Sequence, residues 1–358
     1  MESAIFRAAR DGNLELIMRQ EPASVLAKDY HGWTPLHWAA AEGHVHVVRL
    51  LLAELRAEMD AENDNGETPL HLAAKSGHAD VVKVLVTEFQ ANPHIVTPSL
   101  VHQAELYRYW MDVGDETDTC HSWTPLHFAA CYGHPATVRL LVTEFQAKVQ
   151  ADDGSGWTPL HLAASQGHVE VARMLLTELG ADGQAEDYKK WTPLHHAALY
   201  GQIEMVKLLW REFRLNVLAT DKYRLTPLHF AASQRHTAVM KLLLVEMELS
   251  DGDYKDIVNV AGEHGRTLLH YAAEVGCVDS VKLLVESLHA RAEFKDNGYS
   301  TPLHKAILNG HVEVAIFLNK GPLQSVDFQG MYVFSAHCFK LTPNRQSFYF
   351  TSHSKVPG

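Results

Sequence analysis

Twenty-four histidines stand in a chain of 358 residues. Imidazole ligates transition metals, so such a content raises the possibility of a metal centre. Zinc wants ligands clustered at tight spacing, and the best group of that kind is Cys120-His121 with His127 and Cys131. Most of the histidines, however, are periodic. His37, His71, His127, His161, His195, His229 and His304 each close the tetrapeptide Thr-Pro-Leu-His, and His270 closes a near-copy, Thr-Leu-Leu-His. His44, His78, His134, His168 and His311 each follow a glycine. A repeat explains these positions, including those of the Cys120–Cys131 group, without any metal. No Gly-x-Ser-x-Gly, phosphate-cradling Gly-rich loop or His-Glu-x-x-His occurs. The chain is therefore expected to be no enzyme and to carry no cofactor and no metal.

The elements that place these histidines follow from the repeat. Five of the seven steps between successive openings, which begin at Thr34, Thr68, Thr124, Thr158, Thr192, Thr226, Thr267 and Thr301, are 34 residues. A fixed period of this size predicts stacked small units rather than one large core. In the unit from Thr68 to Glu88, Thr68 is placed to cap a helix and Pro69 to occupy its first position. Leu70, Ala73 and Ala74 make one apolar stripe, and Gly77 ends the helix. A second helix carries Val81, Val82, Leu85 and Val86 on one face. Helices of about ten residues are marginal alone, so each unit must lean on its neighbours.

The run Thr-Pro-Leu-His-x-Ala-Ala-x-x-Gly-His, seen at Thr68 to His78 and Thr158 to His168, resembles the ankyrin repeat. The resemblance spans roughly residues 1–320. It implies an all-α solenoid of stacked antiparallel helix pairs with β-turn fingers. It also implies that each tetrapeptide imidazole hydrogen-bonds the turn and the adjoining unit, and that the fingers and first helices form a concave face for partner proteins. The period here is one longer than the family's usual 33 or so. The extra residue falls near the end of the second helix, where only Gly180 keeps the family glycine; Arg56, Gln90, Gln146 and Arg214 stand at the matching positions. Left-handed φ is unfavourable for such residues by about 1 kcal/mol, so these helices are expected to end differently.

Residues 1–33 are expected to form an N-terminal cap unit, with Ile5, Ala8, Ala9 and Gly12 in the register of Leu36, Ala39, Ala40 and Gly43. An insertion at about 92–118 accounts for a step of 56, and an extended finger at about 250–262 for a step of 41. Beyond residue 320 the pattern fails, and 321–358 read as a degenerate or loosely ordered tail.

A formal net charge of −12 with no Lys/Arg run argues against nucleic acid as a partner. No apolar stretch is long enough for membrane insertion, the four scattered cysteines point to a reducing compartment, and no signal peptide is evident. These features suit the cytoplasm or the nucleus. Trp33, Trp123, Trp157 and Trp191 precede the openings and either stack on the next finger or anchor a partner. The acidic pair Asp152-Asp153 reads as a solvated finger. Candidate partner-binding residues are Tyr132 and Tyr200, before the glycines that end inner helices, and Tyr188, Lys189, Lys190, Lys222, Tyr223 and Arg224 on central fingers. Their local positive charge suits an acidic or phosphorylated segment. The expected function is a protein-interaction scaffold or adaptor. The alternative is a substrate-recruiting subunit of an enzyme complex such as a ubiquitin ligase.

Overall fold

The computed structural model describes residues 3–98, 122–245, 257–262 and 264–319. These residues hold eighteen α-helices and no strand, with one isolated bridge between Ala261 and Thr267. The helices pair as α1 (Ala4–Arg10) with α2 (Leu14–Met18), α3 (Pro35–Ala41) with α4 (Val45–Arg49), α5 (Pro69–Lys75) with α6 (Ala79–Thr87), and α7 (Pro125–Cys131) with α8 (Pro135–Thr143). They continue as α9 (Pro159–Gln166) with α10 (Val169–Thr177), α11 (Pro193–Leu199) with α12 (Ile203–Lys207), α13 (Pro227–Ser233) with α14 (Thr237–Val245), α15 (Leu268–Glu274) with α16 (Val278–Lys282), and α17 (Pro302–Leu308) with α18 (Val312–Asn319). Each odd-numbered helix packs on the next odd-numbered one, which makes an inner row; α4 and its even-numbered successors make an outer row behind it. The inner row is tight because its paired alanines, such as Ala73-Ala74 and Ala163-Ala164, are fully buried and admit the neighbouring helix closely. Burial of Leu36, Val48, Leu51, Leu85, Leu160 and Leu175 between consecutive pairs extends one apolar core along the stack.

The extra residue of the 34-residue period is absorbed at the end of the outer helices. Three of them finish in a π-type turn, over Leu50–Glu54, Leu208–Glu212 and Leu283–Ser287. The chain is then caught by a backbone bond six residues long, from Ala57 N–H to Leu51 O and likewise from Ala91 to Leu85, Ala147 to Leu141, Ala181 to Leu175, Leu215 to Leu209 and Ala290 to Leu284. That closure requires left-handed φ one residue earlier. Arg56 (φ 55°), Gln90 (61°), Gln146 (55°), Arg214 (54°) and His289 (54°) adopt it just as Gly180 (72°) does. The expectation that the helices lacking glycine end differently is therefore corrected: the six-residue bond and the burial of residues such as Ala91 outweigh about 1 kcal/mol of local strain. Relieving the strain should show. Gln90→Gly is expected to raise stability by about 0.5–1 kcal/mol, read as a higher urea midpoint at unchanged slope. An unchanged or lower midpoint would mean that Gln90 sits there without strain.

The stack runs through the insertion unbroken, since α7 packs directly on α5. Thr97 N–H donates to Trp123 O and Trp123 N–H to Thr97 Oγ1, both at 3.0 Å, and Thr97 is fully buried. These bonds copy those between Asp29 and Trp33 at the base of an ordinary finger. The additional residues thus enter at a finger tip, between Thr97 and Trp123; residues 99–118 of the insertion lie outside the described residues. The turn from Gly262 to Arg266 closes with the same N–H to O span as the other fingers, so the added residues of the 250–262 extension enter ahead of Ile257. Residues 250–256 of that extension and the 321–358 tail also lie outside the described residues.

Candidate functional site

Every Thr-x-Leu-His opening is a capping box in which histidine replaces the usual acid or amide. Taking Thr34 as the pattern, its backbone N–H donates to His37 Nδ1 at 3.0 Å and its hydroxyl lies 2.8 Å from the same atom. An Nδ1 that accepts leaves the ring proton on Nε2, and Nε2 donates across the repeat boundary. Its acceptor is Glu67 O for His37, Trp123 O for His71, Trp191 O for His161, Leu225 O for His195 and Ser300 O for His270. A second row points the other way. His44, His78, His134, His168, His236 and His311 bond through Nε2 to carbonyls of the preceding repeat, at Arg10, Ala41, Lys75, Cys131, Leu199 and Glu274. These rings lie on the helix-ending glycines: a Cβ on Gly77 (φ +79°) would come within 2.4 Å of His134 Nδ1. The histidines are joints between repeats. Among the described residues no three His, Cys, Asp or Glu side chains are grouped to hold a metal ion, and Cys120 and His121 lie outside them.

Five of the fingers are built on a buried Asp or Asn five residues before the threonine. Asp187 Oδ1 accepts from Lys189 and Trp191 N–H, both at 2.8 Å, and Asp221 Oδ1 accepts from Tyr223 and Leu225 N–H at 2.8 and 2.7 Å. Asn63, Asp153 and Asp296 do the same in their fingers. Asp153 is thus fully buried, which corrects its reading as a solvated residue; its neighbour Asp152 is exposed. Neighbouring tips are tied by main-chain bonds, from Asp64 N–H to His31 O, Tyr188 N–H to Ser155 O, Lys222 N–H to Lys189 O and Asn297 N–H to His264 O.

Family models described as ankyrin repeats (three copies) match residues 4–97, 99–187, 181–256 and 245–327. The chain is an ankyrin-repeat protein. Ankyrin repeats are protein–protein interaction modules, and the family is typically non-enzymatic. No helix among the described residues of this ankyrin array is long and apolar enough to cross a membrane.

On the ankyrin stack, Tyr188, Lys189 and Lys190 form one finger tip and Lys222, Tyr223 and Arg224 the next. Tyr188 is 70 % exposed. Tyr132 caps α7 and Tyr200 caps α11, on the inner row. Tyr132 lies under the Lys75 ammonium, 5.5 Å from its ring centre, while burial, with the Cys131 thiol nearby, pushes the Tyr200 phenol up to about 12. Trp123, Trp157 and Trp191 are buried in the stack rather than offered outward. Trp157 meets the His196 ring of the next repeat edge-on at 4.1 Å, and Trp191 meets Phe230 of the next at 4.5 Å.

One pair escaped the sequence reading. His196, fully buried, has Nε2 3.2 Å from Asp187 Oδ2, and its Nδ1 has no hydrogen-bond partner. Burial acts to raise the Asp187 carboxyl, but the hydrogen bond and charge of His196 and the Trp191 amide hold it below the usual aspartate value. The signal was present: an acid recurs five residues before most openings, and His196 stands where other repeats carry Leu72, Phe128, Leu162 and Phe230.

Proposed function

We propose that this protein is a non-enzymatic interaction scaffold that holds partner proteins on the face made by its finger tips and inner helices, with Tyr132, Tyr188, Tyr200 and Tyr223 as contacts and Lys189, Lys190, Lys222 and Arg224 beside them. The observation that carries the reading is the contrast along the fingers: Trp157 and Trp191 are consumed by repeat–repeat packing, while Tyr188 is left 70 % exposed beside the cationic pair Lys189 and Lys190. Exposed tyrosine with an adjoining cation is the composition of interface anchors, giving large contact area with little rotamer freedom to lose. A rigid row suits this use, because the main-chain bonds between tips fix the fingers before any partner arrives.

The test is capture of neighbours in the native cell by proximity labelling, comparing the wild type with Tyr188→Ala combined with Tyr223→Ala. Helical content is expected to stay intact while recovery of specific partners falls at least about tenfold, as loss of an anchor worth more than about 1.4 kcal/mol requires. Unchanged recovery would exclude this face.

A further inference from the structure

We infer that the consecutive finger turns 187–191 and 221–225 form a cationic clamp for an extended, carboxylate-rich segment of a partner protein, a reading that rests on the interaction face proposed above. The first support is where the charges point. Asp187 and Asp221 are 5 % and 4 % exposed and are spent inside the turns: Oδ1 of each takes two peptide N–H groups, while Oδ2 takes His196 in one and Trp191 Nε1, at 3.0 Å, in the other. Lys190, Lys222 and Arg224 are exposed, with Lys189 half-buried beside them. Glu186, just before the first turn, is exposed, and neither turn itself carries an exposed carboxylate.

The second support is independent and lies in the backbone. Lys190 and Arg224 both hold φ of 62°, at the turn position where four other fingers place Gly32, Gly66, Gly156 and Gly265 and the last places Tyr299 (60°). A left-handed non-glycine residue is unfavourable by about 1 kcal/mol, and here two adjacent fingers accept it with a long cation each time. The cations are also pre-positioned. Lys189 Nζ sits 5.6 Å over the Trp191 ring and Lys222 Nζ 4.9 Å over Tyr223, and the two tips are joined by the Lys222 N–H to Lys189 O bond of 3.1 Å.

The finger row changes sign along its length. The turn at 62–67 exposes Glu62 and Asp64, and that at 152–156 exposes Asp152, with no Lys or Arg in either. An acidic segment is therefore attracted to the central fingers and repelled from those before them, which sets its register. Carboxylates fit better than one phosphate. Three lysines and a single arginine spread over two fingers match charges distributed along a strand, whereas a phosphate is best held by donors that converge on one point.

The probe is a fluorescein-labelled peptide of about ten residues alternating Glu and Ala, long enough when extended to cross both tips. Its binding to the full chain is followed by fluorescence anisotropy. It is expected to bind, to be released when salt rises from about 50 to about 500 mM, and to lose affinity about tenfold or more in Lys190→Asn with Arg224→Asn. Asparagine tolerates left-handed φ, so this variant keeps the fold, which its melting curve checks. Lys28→Asn, on the first finger, is expected to bind as the wild type does, and a Lys-Ala peptide not to bind. Equal affinity of the double variant overturns the clamp. So does binding of a phosphoserine peptide when the Glu peptide fails, which would move the ligand to a phosphorylated segment. If the peptide ignores these fingers while the tyrosine variant still loses its partners in cells, the clamp falls and the interaction face stands. If the tyrosine variant keeps its partners, the face itself falls.

Discussion

Lowering the pH from 7 to 4 is expected to dissolve the array, and the histidine joints are the reason. Burial pushes His37, His71, His195 and His229 down to about 4 and His161 to about 3, against an ordinary value of 6.5. Burial also lowers His127, His270 and His304. The geometry agrees, because Nδ1 already accepts the threonine N–H and a proton there would break the capping box. The sign follows from proton counting. Between about 6.5 and the folded value of about 4 the unfolded chain holds a proton that the folded ring does not, so stability falls as pH falls through that window. Above pH 7 both states are neutral and the effect vanishes. Each of the five rings removes up to about 1.4 kcal/mol per pH unit, or roughly 3 kcal/mol by pH 4. Two or three of them within one cooperative stretch of repeats then match the roughly 5–15 kcal/mol that holds a typical domain together. Circular dichroism at constant salt should show a urea midpoint that is flat above pH 7 and drops steeply below 6.5. Replacing His195 and His229 by Gln should make that limb shallower while lowering stability at pH 7. A midpoint that stays level down to about pH 4.5 would contradict the assigned tautomers.

The joints also show how far the sequence could be read. The period, the capping threonines, the proline at the first helical turn and the buried alanines are local facts with one structural solution, so the stack followed from them. The role of the tetrapeptide histidines came from family resemblance, since their acceptors lie in the next repeat: His71 meets Trp123 O at a distance of 52 residues. Helix ends were harder. Propensity argued against left-handed Arg56, Gln90, Gln146 and Arg214, but propensity counts only the residue, and the bond that closes the widened last turn belongs to the whole helix end. The fingers were legible as turns but not in their polarity. A carboxylate such as Asp153 or Asp187 reads as solvated until its peptide partners two and four residues on are known. For the face itself, the residues at Tyr188 to Lys190 and Lys222 to Arg224 were visible. That the acids beneath them turn inward and the cations outward needed coordinates.

The pair beneath the first of those fingers should be the most sensitive point of the stack to a single change. Asp187→Ala is expected to lower stability by about 3–5 kcal/mol. The change strips the Lys189 and Trp191 amides of their acceptor and leaves His196, enclosed by the Trp157, Trp191 and His161 rings, with neither nitrogen bonded. A salt bridge on the surface would not matter so much. Arg139–Glu178 and Arg173–Glu212 tie outer helices together, but their side chains are about half exposed and water screens them. The chain contains its own remedy three repeats earlier. There Asn63 accepts the same two amides, from Asn65 and Glu67, and Leu72 fills the site that His196 fills here. Asp187→Asn combined with His196→Leu should therefore recover most of the loss and come within about 1 kcal/mol of the wild type, since a buried polar pair exchanged for a packed apolar group is often neutral. Thermal and urea unfolding of the two variants tests both halves. If Asp187→Ala unfolds like the wild type, the finger does not depend on that carboxylate; if the double variant is no better than the single, the pair contributes more than its own burial and hydrogen bonds explain. Because Lys189 and Lys190 hang on the same turn, Asp187→Ala should also weaken the Glu-Ala peptide, whereas the double variant, with the turn rebuilt on asparagine, should bind it as the wild type does.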